Sequence, residues 1–112
     1  MANLRDELII NGMRLRNRLA LPPLTTNYST PDGIVTEDIM QFYTDRSKDV
    51  GLVIVEVAAV RPDGRLVPES LGLWEDGQVE GMTRLTGAIK KSGAAVIIQL
   101  NHAGARCVPL GG

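Results

Sequence analysis

Two runs of apolar, mostly branched residues constrain this chain more than any other feature. Leu52-Val53-Ile54-Val55-Glu56-Val57 and Ala94-Ala95-Val96-Ile97-Ile98 are continuous rather than alternating, each follows a helix-like segment that closes near a glycine (Gly51, Gly93), and the second ends abruptly in Gln99, Asn101 and His102. Such runs read as strands buried on both faces, as in a parallel sheet flanked by helices. The helical segment before the first run opens on Thr36 as N-cap, with Glu37 and Asp38 suiting the dipole of the first turn and Ile39, Phe42 and Tyr43 forming one buried stripe. The segment before the second, about Gln78 to Ser92, sets Val79, Met82, Leu85 and Ile89 on one side and Lys90 and Lys91 in its last turn. Strands joined by helical crossovers imply right-handed parallel connections.

Upstream, Glu7-Leu8-Ile9-Ile10 and Met13-Arg14-Leu15 flank Asn11-Gly12, a strong hairpin signal. Arg18-Leu19-Ala20-Leu21 reads as the first sheet strand, stopped by Pro22-Pro23, which cannot donate ladder hydrogen bonds. The order hairpin, β, α, β, α, β fits an open doubly wound sheet or part of a (β/α) barrel. The barrel is favoured because no G-x-G-x-x-G turn follows the first strand, and because the loops after the strands are long while those before them are short. A full barrel takes eight units and roughly 250 residues. The 112 residues supply three strands, and Pro109-Leu110-Gly111-Gly112 adds no helix to cover the third. The expectation is a barrel fragment, or a chain that needs a partner to complete its sheet.

Composition narrows the partners. Twelve basic and 13 acidic residues are interspersed, leaving no basic stripe for nucleic acid or an anionic membrane. No apolar run approaches the ~20 residues of a bilayer span, and the amino terminus lacks the basic-then-apolar plan of a signal peptide. The lone Cys107 has no thiol partner for a disulfide or a metal site. These features point to the cytoplasm, with no metal site expected.

Ligands dock at the carboxyl ends of strands in α/β folds, and there Gln99 carries an amide with both donors and an acceptor that need partners if buried. Glu56, inside an apolar run, must be paired if charged, and a bridge to a base such as Arg18 is expected. His102 reads as structural and Trp74 as core or loop packing.

Four blocks carry a family resemblance: Asn17-Arg18-Leu19-Ala20-Leu21-Pro22-Pro23-Leu24-Thr25-Thr26-Asn27-Tyr28, Asp32-Gly33-Ile34-Val35-Thr36, Gly51-Leu52-Val53-Ile54-Val55-Glu56 and Gln99-Leu100-Asn101-His102-Ala103-Gly104. In that order and spacing they resemble the amino-terminal third of the old yellow enzyme family, FMN-dependent NAD(P)H:flavin oxidoreductases on a TIM (β/α)8 barrel. The resemblance implies that residues 1–112 form a partial FMN-binding barrel domain, with the hairpin, the first three strands and two helices. It places Pro22, Pro23, Leu24 and Thr25 along the flavin, with the Thr25 hydroxyl near the N5/O4 edge. Gln99 would bond the pyrimidine ring and Val57 would contact the flavin, although the family often has alanine there. Tyr28 would lie on the substrate side. No catalytic residue falls in this chain, because the family's substrate anchors and phosphate site come from later strands. The implied reaction carries hydride from NAD(P)H through FMN to an activated alkene or related small molecule. A different barrel enzyme would have only Glu56 to offer as an acid. The alternative to the enzyme reading is a non-catalytic or truncated fragment. The 112-residue chain alone is expected to be inactive and to associate through its open edge, as a homo-oligomer or with the rest of a barrel.

Overall fold

A computed structural model describes residues 1–109. The expectation that the chain ends without a covering helix falls partly on residues 110–112, outside the described residues.

The chain opens with a hairpin of β1 (Leu8–Ile10) and β2 (Met13–Leu15), with Ile10 opposite Met13. Asn11 and Gly12 between them have φ of 46° and 85°, the doubly positive turn whose twist matches that of antiparallel strands. Glu7 and Arg14 pair across it. Just beyond β2, the half-buried Arg16 side chain reaches the carbonyls of Ser47, Lys48, Val50 and Ser92.

The main sheet holds β3 (Ala20–Leu21), β4 (Leu52–Ala59), β5 (Leu71–Gly72) and β6 (Ala95–Asn101), and β4 pairs with the other three in parallel. Leu21 lies opposite Val53 and Val53 opposite Val96, so β4 is central. β3 is cut to two residues by Pro22-Pro23. Past its end, β5 pairs with Ala58–Ala59 on that same edge, because β6 occupies the other edge opposite Ala58 and Ala59. The three parallel strands fall where the sequence puts them. The long loop expected after the second sheet strand, from Ala58 to Glu75, instead contains the end of β4 and all of β5. A two-residue strand carries too short a pattern to signal itself.

Helices α1 (Glu37–Arg46) and α2 (Val79–Lys91) pack on one face of this sheet, where Ile39, Tyr43, Val53, Val55, Leu71, Leu85 and Ile89 form a buried core. Thr36 caps α1 as expected: its Oγ1 accepts from Ile39 N at 3.3 Å and donates to the Tyr28 carbonyl at 2.6 Å. Thr36→Ala is expected to cost about 1 kcal/mol, seen in a denaturant titration with an unchanged slope; a loss below a few tenths would show the cap to be dispensable. Val79 departs from its expected place in the α2 stripe and is 50% exposed. The buried position at that helix end belongs to Gln78, whose Oε1 accepts from Trp74 N and Glu75 N while Nε2 donates to the Asp32 carbonyl. Trp74 packs beside this amide against Gly33 and Gly72.

Candidate functional site

A bulge in β4 organises the carboxyl-terminal rim of the sheet. Val55 lies opposite Ile98 and Ala58 opposite Leu100, so β4 spends one extra residue between these pairs. Val53 and Val55 belong to the helix-side core, and Glu56 bonds Tyr43 of α1 on that same side. Alternation therefore changes phase at Glu56. Ala58 returns to the helix-side core, and Val57, 7% exposed but outside that core, lies on the opposite face. On β6, Val96 and Ile98 pack against the core, which turns Ile97, Gln99 and Asn101 to the face that carries Val57. Gln99 is thus opposite the bulge. It is exposed and makes no protein hydrogen bond among the described residues. Two residues on, Asn101 has a buried side-chain carbonyl oxygen with no hydrogen-bond partner among the described residues.

The loop after β3 runs along the other edge of β4 and is fastened at several points. Glu56 is fully buried, and its Oε2 accepts from Thr26 N at 3.0 Å. Thr26 Oγ1 donates to the same carboxylate at 2.9 and 3.0 Å. Tyr43 OH donates to Glu56 Oε1 at 3.1 Å and accepts from Glu56 N at 2.8 Å. Burial pushes the Glu56 carboxyl above its usual range, opposed by the hydrogen bonds from Thr26 and Tyr43. Burial also raises the Tyr43 hydroxyl, and the Glu56 charge raises it further. The expected bridge from Glu56 to Arg18 does not form: Arg18 is exposed, and hydroxyl and amide donors satisfy the carboxylate. Beyond Thr26, Asn27 adopts φ 61° and its Oδ1 accepts from Glu69 N, while buried Ser29 bonds the Glu69 carbonyl.

With Thr26 held, Pro22, Leu24 and Thr25 stay exposed and Pro23 half-buried along β4. The structure brings Gln99 and Val57 together on neighbouring strands and sets the Pro22–Thr25 stretch on the far side of β4. Tyr28 stands apart: half exposed, it lines a shallow groove with Asp38, Gln41 and Phe42 of α1, so the geometry does not draw it toward Gln99. His102 has a structural place, its Nδ1 accepting from Gly104 N at 3.0 Å and its ring against Gly64, where an added Cβ would come within 2.7 Å. The loops after β4 and β6 are joined by Ala103 N to Gly64 O and Val108 N to Arg65 O.

Sequence reasoning missed Thr26 as the partner of Glu56 and took Tyr43 only as core. The signal was a lone carboxylate inside an apolar strand, which obliges the fold to supply donors.

A parallel sheet with helices on one face and long loops at the strand ends is the layout of part of a (β/α)8 barrel. The comparisons agree. Residues 7–109 match the model of the NADH:flavin oxidoreductase / NADH oxidase family. The chain is 39% identical over 110 residues to the NADH:acrylate oxidoreductase of Vibrio harveyi, covering 97% of this chain and 11% of that protein. It is 41% identical over 100 residues to an NADPH dehydrogenase of Bacillus subtilis, covering 87% of this chain and 29% of that protein. The old yellow enzyme of Trypanosoma cruzi superposes with a TM-score of 0.87 at 31% identity, over 96% of this chain and 29% of that structure. The chain belongs to the NADH:flavin oxidoreductase / NADH oxidase family, and it spans less than a third of the length of these relatives.

Proposed function

We propose that this chain is the amino-terminal third of an FMN-dependent NAD(P)H oxidoreductase, and that its part of the active site is the rim formed by Pro22, Pro23, Leu24, Thr25, Val57 and Gln99. The observation that carries this reading is the exposed Gln99 amide, without a hydrogen-bond partner among the described residues, opposite the β4 bulge and on the face it shares with Val57 and Asn101. These residues suit a flat heterocycle with alternating donors and acceptors. An amide can give a hydrogen to a ring carbonyl and accept one from a ring N–H together, and the nearly buried Val57 keeps the strand beside it apolar. FMN held there would supply the redox chemistry, hydride transfer between a nicotinamide and an acceptor. The chain's own residues bind and orient: Gln99 reads the pyrimidine end, two adjacent prolines stiffen the loop backbone, and the exposed Thr25 hydroxyl offers a donor to the ring edge. Acrylate, in the name of the Vibrio relative, is a conjugated alkene, and an activated alkene is the proposed acceptor here. Tyr28 stays a candidate for the substrate side. A nicotinamide reductant and a single free thiol suit the cytoplasm, and no helix among the described residues is long and apolar enough to cross a membrane.

The test is Thr25→Ala in the full-length protein carrying this chain. The reduction potential of bound FMN should shift while FMN remains bound. A potential equal to wild type would take Thr25 away from the flavin edge, and a wild-type protein with no flavin absorption after loading with FMN would overturn the reading.

A further inference from the structure

Glu56 is a buried carboxylate that the flavin reading leaves without a task. We infer that Glu56, braced by Tyr43, is a positioning residue: it holds Thr26, and through Thr26 sets the Pro22–Thr25 backbone against the flavin. The inference rests on the proposed flavin site.

Three observations carry it. First, the carboxylate is fully buried with no cation among its bonded partners. A buried ionisable group in a strand is hard to justify on stability, since an apolar residue of similar volume usually does as well or better. Second, its bonds leave the sheet. Oε2 takes the Thr26 N–H, both oxygens meet the Thr26 hydroxyl, and that hydroxyl in turn accepts from Tyr28 N at 3.2 Å, so the carboxylate orders the loop on both sides of Thr26. Thr25, next in sequence, is about 3.8 Å away from Cα to Cα and cannot move independently. Third, the same bulge serves both functions. It turns Glu56 from the face of Gln99 to that of α1, where Tyr43 OH accepts the Glu56 N–H at 2.8 Å, and it leaves Val57 facing the ligand side. Tyr43 is fixed in the core by Phe42, edge-on with ring centroids 5.0 Å apart. Catalytic geometry is sensitive to displacements of about 1 Å, and an anchor one residue from Thr25 controls displacements of that size.

The decisive measurements are the dissociation constant of FMN and the reduction potential of bound FMN, made on the full-length protein carrying this chain. Glu56→Gln keeps the shape but presents either an NH2 or a single carbonyl where two acceptor oxygens stood, so the Thr26 N–H or hydroxyl loses its partner. FMN binding should weaken about tenfold, the effect of roughly one lost hydrogen bond, with a displaced potential. Thr26→Val, which keeps the backbone bond and removes the hydroxyl, should weaken binding about threefold to fivefold on the same basis. Thr26→Ser, which keeps both, should stay within about twofold of wild type. If Glu56→Gln does not fold, the contrast between Thr26→Val and Thr26→Ser decides by the same two measurements. Variants that lower the melting temperature but match wild type in affinity and potential would overturn the inference and leave Glu56 a core residue. A wild-type protein that takes up no FMN would instead overturn the flavin reading, and this inference with it.

Discussion

Replacing Gln99 by leucine in the full-length protein is expected to weaken FMN binding roughly ten- to a hundredfold and to leave the fold unchanged. Gln99 is exposed on β6 and makes no hydrogen bond among the described residues, so leucine of similar size breaks no hydrogen bond there. The bound state bears the loss. Two ring groups would face an apolar side chain instead of an amide, and an unsatisfied buried polar group costs on the order of 1–3 kcal/mol, with tenfold in affinity for each 1.4 kcal/mol. Leucine keeps the β6 ladder, in which Ile98 opposite Val55 and Leu100 opposite Ala58 set the register, so melting without flavin should match wild type. Titration of flavin fluorescence reads the loss. Equal affinity in the Gln99→Leu protein would remove Gln99 from the site.

That prediction comes from features legible in the sequence, because strand ends are local. An apolar run that stops at Gln99 announces both the strand and its rim, and the Asn11-Gly12 turn, the Thr36 cap and the parallel strand order are signals of the same short range. The bulge is different. It arises from register between β4 and β6, two segments some 40 residues apart, and nothing in Val55-Glu56-Val57 shows that alternation breaks there. Reading those residues as a regular strand puts Glu56 on the face of Gln99 and leaves it to seek a base such as Arg18. The fold turns it over and satisfies it with Tyr43 and Thr26. Gln78 was hidden for a related reason: its position in the α2 stripe belongs to an apolar residue by pattern, yet its amide joins two loop segments through hydrogen bonds that periodicity cannot express.

Arg16 is the clearest case of a long-range role, and Arg16→Ala is expected to lower stability by roughly 3–4 kcal/mol. Its Nε donates to Val50 O at 3.0 Å, Nη1 to Ser92 O at 2.8 Å, and Nη2 to Ser47 O at 2.8 Å and Lys48 O at 2.6 Å. Ser47 and Ser92 are the C-caps of α1 and α2, so one guanidinium meets the partial negative charge and the orphan carbonyls of two helix ends. Gly93 permits this approach. It holds φ at 104°, and a Cβ there would collide with Arg16 Nη1. Lysine cannot copy the planar fork, so Arg16→Lys should recover less than half of the loss. Denaturant midpoints at constant slope measure both variants, and an Arg16→Ala loss under about 0.5 kcal/mol would mean that water serves the four carbonyls equally well. Val50 and Ser92 precede β4 and β6, at the end of the sheet opposite Gln99. In barrels that end carries stability and the other carries chemistry. The Arg16→Ala protein that remains folded should therefore bind FMN with wild-type affinity, whereas Gln99→Leu should keep wild-type stability and lose affinity, two independent failures from opposite ends of the same strands.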